Sequence, residues 1–412
     1  MSTTELKKIT GAIVAPLGFS ANGTNSGVKK RRCDLSLILS NSDCVAAGVF
    51  TRNSVKAAPV VYNMNLLEDK NAKIRAVVIN SGNANACTGA LGLENANRMA
   101  IATAKTIGVS PNNVIVASTG VIGVQLDIEK VEAGIETIYP TLGKDQAHAG
   151  AAAEGIITTD TFIKGIAYEI ELGGKSVKIG AIAKGSGMIH PNMGTMLGFI
   201  TTDCAISQAL LQKALSETTE TTYNMISVDG DTSTNDMVIV LANGEAKNTP
   251  IENENEDYQT FKHALEEVNK YLAKQIVLDG EGATKFLEAS VSGAKSADDA
   301  KKMAKTIISS NLVKTAFFGE DANWGRIIAS MGRSGAEFGA QNTKITFASE
   351  DKTVVTMENG TPIDFDNNYA HELLKNKFIT INVELKDGES SATAWGCDLS
   401  YEYVRINGEY RT

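Results

Sequence analysis

Histidine is scarce: His148, His190, His263 and His371 are the only four in 412 residues, and they are scattered. That distribution gives little support to a zinc site or a Ser-His-Asp triad, so any acid–base chemistry must use another group. The five cysteines (Cys33, Cys44, Cys87, Cys204, Cys397) are odd in number and share no metal-like spacing. They read as reduced, mostly buried thiols of a cytoplasmic protein. Positive charge is also in deficit. A formal net charge of -9 argues against nucleic acid or an anionic membrane as the main partner. The basic cluster Lys29-Lys-Arg-Arg32 stands alone and reads as a solvated turn. No segment is long and apolar enough to span a bilayer, and the polar start Met1-Ser-Thr-Thr lacks the pattern of a signal peptide. Low-complexity linkers and short-period repeats are missing too.

What is present is a chain too long for one ordinary core, so two domains or one large layered unit are expected. Strands are expected at Asp34–Ser40, Val45–Thr51 and Ala76–Asn80, and a helix over 94–107 capped by Gly108. A strand from Val114 should break at Thr119-Gly120, with helices over Ile128–Ile138 and Lys144–Ala153. Gly173-Gly174 reads as a two-residue hairpin turn between Phe162–Leu172 and Lys175–Ala183. Helices follow over Ile206–Tyr223 and Tyr258–Ile276, the latter with Phe261, Leu265, Val268, Leu272 and Ile276 on one face. Met237–Leu241 and Lys285–Ser292 are strand-like, Ser296 opens a helix, and Lys314–Phe318 reads as a strand before a helix at Trp324–Met331. The remainder is hairpin-rich. Strands and helices mix without regular alternation, which favours an α+β fold of stacked sheets covered by helices.

The central stretch Lys184-Gly-Ser-Gly-Met-Ile-His-Pro-Asn-Met-Gly-Thr-Met-Leu-Gly-Phe-Ile-Thr-Thr-Asp203 joins a turn-forming half to a β-branched apolar half at Gly194-Thr195. A threonine there could attack the preceding peptide bond and emerge as a new N-terminus, its α-amine beside its own hydroxyl. A glycine-rich turn entering a core strand is the plainer alternative. Polar, glycine-bearing loops at Thr119-Gly120, Thr158-Thr-Asp160, Lys184-Gly185, Asp279-Gly-Glu281 and Gly319–Asn323 interrupt the apolar runs. None matches a phosphate-binding loop or dinucleotide fingerprint. Together they could supply a nucleophile, oxyanion donors and charged groups for a zwitterion.

With these blocks in view, the chain resembles the glutamate N-acetyltransferase (ornithine acetyltransferase) family. The resemblance rests on the central stretch, on Asn80-Ser-Gly-Asn-Ala-Asn-Ala, Ala117-Ser-Thr-Gly-Val-Ile-Gly, Ile157-Thr-Thr-Asp-Thr, Asp279-Gly-Glu-Gly-Ala-Thr and Phe318-Gly-Glu-Asp-Ala-Asn-Trp-Gly-Arg, and on the closing Tyr403–Thr412. It implies a layered αββα sandwich and a precursor that cuts itself at Gly194-Thr195 into residues 1–194 and 195–412. The two chains would stay together, as an α2β2 heterotetramer. Thr195 would carry an acetyl group from N2-acetylornithine to glutamate within arginine biosynthesis, with no cofactor, although acetyl-CoA could be a second donor. The family's oxyanion donors fall on Thr119 and Gly120, and its substrate contacts on Thr158, Lys184, Thr195, Glu281, Asn407 and Thr412. Lys184 would suit a substrate carboxylate and Glu281 an ammonium. Gly194 departs from the alanine that most often precedes the nucleophile in the family, and His190 stands where a small residue is common. The competing expectation is an amino-terminal-threonine aminopeptidase or amidase, in which water takes the acyl group.

Overall fold

The computed structural model describes residues 6–190 and 196–409. Its organising element is the 16-residue strand Leu35–Phe50, in place of the two short strands expected there. The first half of this strand pairs antiparallel with Phe19–Thr24 and with Ile74–Asn83, and the second half pairs with Met237–Ala242. Its register with Ile74–Asn83 shifts between Leu39 and Cys44. That irregularity lets one strand serve both halves of a nine-stranded sheet.

Alternation on the strands shows how the halves are stacked. Ile38, Val77, Ile79, Ile115 and Ala117 of one half share a core with Ile182, Leu197, Phe199, Ile239 and Leu241 of the other. The intervening residues face outward in two directions. Val78, Val114 and Val116 pack against helices Gly89–Ile107 and Ile128–Ile138. Ile179, Ile200, Val238 and Val240 pack against Gln208–Thr221 and Glu256–Leu278. Period-two burial on both faces therefore produces helix, sheet, sheet, helix, the expected αββα order.

A seven-stranded sheet built from the C-terminal part lies beyond the long helix Glu256–Leu278, whose stripe of Phe261, Leu265, Val268, Leu272 and Ile276 is fully buried. Asn255 starts that helix by accepting the Tyr258 N–H, and Glu256 and Asp257 favour its positive end. Gly173 and Gly174, at φ +55 and +74, make the tight hairpin that delivers Lys175–Lys184 to the centre.

Several expectations need correction. Residues Asn311–Phe318 form a helix, not a strand: Val313, Ala316 and Phe317 are buried at helical spacing, which a five-residue window conceals. Two helices arise where none was expected in the hairpin-rich remainder, Asn367–Leu374 between strands and Tyr401–Glu409 after the last one, and Ala58–Leu66 adds another, opened by Pro59. The strand Val114–Val121 runs through Thr119 and Gly120 instead of breaking there. The helix after Asp145 covers Gln146–Ile156, with Asp145 accepting the Ala147 and His148 N–H groups. Lys30, Arg31 and Arg32 are exposed as expected, but Lys29 turns inward and donates to Ser81 Oγ and Ile157 O, each at 2.6 Å. No helix among the described residues is long and apolar enough to cross a membrane.

Replacing Leu265 by Ala should lower the free energy of unfolding by about 2–5 kcal/mol, because truncating a fully buried side chain leaves a cavity in the core beside its helix. A denaturant titration that left the midpoint unchanged would contradict this packing.

Candidate active site

Strands from both halves of the large sheet converge on one opening. The parallel pair Ile74–Asn83 and Val114–Val121 sets Ser81 beside Thr119 and Gly82 beside Gly120. Gly120 sits at φ +133, and a Cβ there would lie 2.4 Å from the Gly82 carbonyl carbon. Only glycine permits that approach and that backbone angle. The antiparallel pairing of Lys175–Lys184 with Leu197–Thr202 puts Lys184 opposite Leu197. Met237–Ala242 then runs parallel to Leu197–Thr202, and the loop before it folds over the opening.

The resulting cavity has a volume of about 210 Å³ and is lined by Thr119, Gly120, Thr158, Lys184, Glu281 and Asn407. These are all of the expected site residues that lie within the described part of the chain. Gly194, Thr195 and Thr412 lie outside it. The Gly319–Asn323 loop, one of the five polar loops, stands apart from the cavity, where Glu320 meets Lys285 at 3.5 Å.

The cavity is electrically bipolar. At one end the Lys184 ammonium donates to Thr158 Oγ1 at 3.0 Å and to Thr119 Oγ1 at 3.3 Å. Both acceptors are neutral, and among the described residues Lys184 makes no ion pair. An ammonium has three donors, so one is left for an anion in the cavity. At the other end Glu281 Oε2 accepts from Asn407 Nδ2 at 2.8 Å, with Asp229 and Asp231 beside it. A ligand with a carboxylate at one end and an ammonium at the other matches this polarity.

Sequence reasoning missed several groups that build the walls. Asp229 accepts the Met188 and Ile189 N–H groups at 2.6 and 2.8 Å, fixing the turn after Lys184, and the Tyr403 hydroxyl at 3.2 Å. Burial pushes its carboxyl up, against those two backbone donors. Asn235 Nδ2 donates to Ala84 O and Ser118 O, which ties the loop to the strand end bearing Thr119. The acidic, hydroxyl-rich composition of Val228–Asp236 was the available signal. Tyr403 and Asn407 reach the cavity from a helix with no buried residue of its own, so hydrophobic patterning could not have found it. His190 is structural: its Nδ1 meets Ser227 Oγ at 3.0 Å, and its carbonyl accepts from Thr232. Burial lowers its pKa to about 4, leaving a neutral ring.

Behind the cavity lies Asp236, fully enclosed, with one carboxyl oxygen unpartnered among the described residues. Burial raises its pKa well above the ordinary value, against the Ser233 hydroxyl and the Lys184 charge. Its carboxyl also accepts from the Met196 backbone N–H.

An α+β sandwich with a bipolar, threonine- and lysine-lined cavity at the ends of its central strands suits a small zwitterionic substrate, and the relatives of this chain make it an acetyltransferase of arginine biosynthesis. The chain belongs to the ArgJ family, whose model matches residues 20–412. It is 51% identical to the arginine biosynthesis bifunctional protein ArgJ of Thermotoga neapolitana, across 96% of this chain and 99% of that one. Its identity to the protein of the same description from Bacillus subtilis is 46%, across 100% and 99%. Among solved structures, the arginine biosynthesis bifunctional protein ArgJ of Bacillus halodurans superposes with a TM-score of 0.50 at 47% identity. That match covers 52% of this chain and 100% of the solved one.

Two outcomes follow from this geometry. Gly120→Ala should reduce turnover more than substrate affinity, since the strand end must shift to admit a Cβ; steady-state kinetics with unchanged kcat would refute the assignment. For Asp236 the folded state holds a proton that the unfolded chain releases above about pH 4, so its contribution to stability falls as pH rises. Asp236→Asn removes that slope. The melting temperature of the variant should gain on the wild type from pH 4 to pH 8, and a pH-independent difference between them would exclude a buried neutral carboxyl.

Proposed function

We propose that the Gly194–Thr195 bond cuts itself, that residues 1–194 and 195–412 remain associated, and that Thr195 is the nucleophile of an acetyl-transfer cycle. The observation that carries this reading is the convergence of Thr119, Gly120, Thr158, Lys184, Glu281 and Asn407, from distant parts of the chain, on one cavity. Leu197, two positions after Thr195, is held opposite Lys184, which supports a nucleophile at this mouth.

In the first half-reaction the Thr195 hydroxyl attacks the acetyl carbonyl of N2-acetylornithine, and its own α-amine takes the hydroxyl proton. Such an amine titrates near ~8, so an uncharged base is available at neutral pH without histidine. The Thr119 hydroxyl and the Gly120 N–H hold the oxyanion; loss of one such donor typically costs roughly 2.7–4 kcal/mol. Collapse breaks the amide C–N bond, the amine returns the proton to the departing ornithine nitrogen, and acetyl-Thr195 remains. Glutamate then attacks the ester, giving N-acetylglutamate and regenerating the hydroxyl. Thr158 and Lys184 hold the α-carboxylate in each half-reaction, and Glu281, Asn407 and Thr412 close the far end. Acetyl-CoA acts as a second acetyl donor to the same threonine. The processed chains assemble as α2β2 in the cytoplasm. The match of a complete solved chain of a relative to only half of this one supports a two-chain product.

Freshly purified protein should run as two bands on a denaturing gel, one beginning at Thr195, and that fragment should gain an acetyl adduct with N2-acetylornithine. Thr195→Ala should stay full length; two bands from it would refute the assignment. Thr119→Ala should lower kcat by about 10²–10³-fold with an intact fold. If added glutamate fails to accelerate deacetylation of N2-acetylornithine, the enzyme is a hydrolase.

A further inference from the structure

Lys164 lies outside the cavity lining and has no part in the chemistry above, yet it is one of the largest completely buried side chains in the molecule. Its ammonium meets Asp160 Oδ1 at 2.7 Å and Asp279 Oδ2 at 2.5 Å, all three side chains being 0–1% exposed. It also stands over the Phe162 ring, 4.9 Å from the centroid. Charges buried this deeply persist only when each is paired and hydrogen-bonded.

Each carboxylate holds backbone that leads directly to a site residue. Asp160 accepts the Gly185 N–H at 2.8 Å, next to Lys184, and the Thr158 N–H at 3.0 Å. Asp279 accepts the Thr161 N–H at 3.1 Å and the Thr161 hydroxyl. Its carbonyl takes the Ser186 hydroxyl at 2.6 Å, while Ser186 O takes the Glu281 N–H at 3.0 Å. Three segments distant in sequence, 158–161, 184–186 and 279–281, are thus fastened around one ammonium.

The arrangement also has an electrostatic consequence. Burial would raise the Asp160 carboxyl, but Lys184 and Lys164 hold it at about 2, so it is ionised. An ionised carboxylate this close to Lys184 competes with any ligand carboxylate for the same cation. Lys164 satisfies that charge first, which leaves Lys184 hydrogen-bonded only to the two threonine hydroxyls among the described residues.

We propose that Lys164 is a positioning residue for the carboxylate subsite: by neutralising Asp160 and Asp279 it keeps Lys184 free for the substrate carboxylate and fixes Thr158, Lys184 and Glu281 in register. This rests on the acetyl-transfer reading for the identity of the substrates, but not for the geometry.

The test compares wild type, Lys164→Met, Asp160→Asn and the double variant carrying both. Lys164→Met should raise KM for N2-acetylornithine and for glutamate by about tenfold or more, with a smaller fall in kcat, because ground-state binding is what is lost. Adding Asp160→Asn to it should restore KM to within about threefold of wild type, since the unpaired charge that captures Lys184 is gone. A merely structural role predicts the opposite, a double variant at least as impaired as the single one. Unchanged KM in Lys164→Met, or no rescue in the double variant, overturns the proposal. If Lys164→Met does not fold, Lys164→Gln takes its place with the same two expectations, a KM raised about tenfold and rescue by Asp160→Asn, and failure of either overturns the proposal. Titration calorimetry with ornithine on the same proteins should show the same pattern in Kd. A wild type that binds ornithine but transfers no acetyl group would sink the acetyl-transfer reading alone, and calorimetry would still decide the role of Lys164.

Discussion

The pairing of Leu197–Thr202 between Lys175–Lys184 on one side and Met237–Ala242 on the other is the interaction on which the rest depends. All six of its residues are buried, so its register is fixed by packing on both faces and a slip of one residue would exchange two cores. That register decides where Lys184 stands. It also decides which side chains of Val238 and Ile239 meet the helices and which meet the opposite sheet half. Site and core are therefore set by the same hydrogen-bond ladder.

Around that ladder the molecule solves a problem of charge. A cavity for a zwitterion needs a cation and an anion close together but unwilling to pair with each other. The threonine hydroxyls on Lys184 and the Asn407 amide on Glu281 hold each charge by neutral hydrogen bonds. A fully buried ion cluster, Lys164 with Asp160 and Asp279, is placed where water does not reach. Surface ion pairs such as Lys7–Glu169 are solvated and contribute little by comparison.

Much of this was legible in the sequence because period and turn chemistry are local. The hairpin at Gly173-Gly174, the helix stripe from Phe261 to Ile276 and the polar segments at Thr119, Thr158, Lys184 and Glu281 each declare themselves within a dozen residues, although Thr119 and Lys184 prove to lie on strands. The conversion of two short strands into one long one depended on pairing with partners forty or two hundred residues away. The helix Asn311–Phe318 was misread because Ala-Phe-Phe looks β-like until burial of Val313 and Phe317 shows its period. Lys164 carries no local mark at all, and nothing local says that Lys29 turns inward while its basic neighbours face solvent; an inward-turned charge is visible only through what it touches.

The close approach of Gly82 and Gly120 divides the cavity into two kinds of wall. On the strand side, backbone presses on backbone, and no side chain at Gly120 can be admitted without moving Gly82 and Asn83. On the opposite side, Asp229, Asp231, Asn407 and Tyr403 reach in from a loop and a helix whose outer surfaces are free. Room to alter substrate range in such a scaffold therefore lies on the loop and the helix, while a side chain at Gly120 on the strand wall would have to displace backbone.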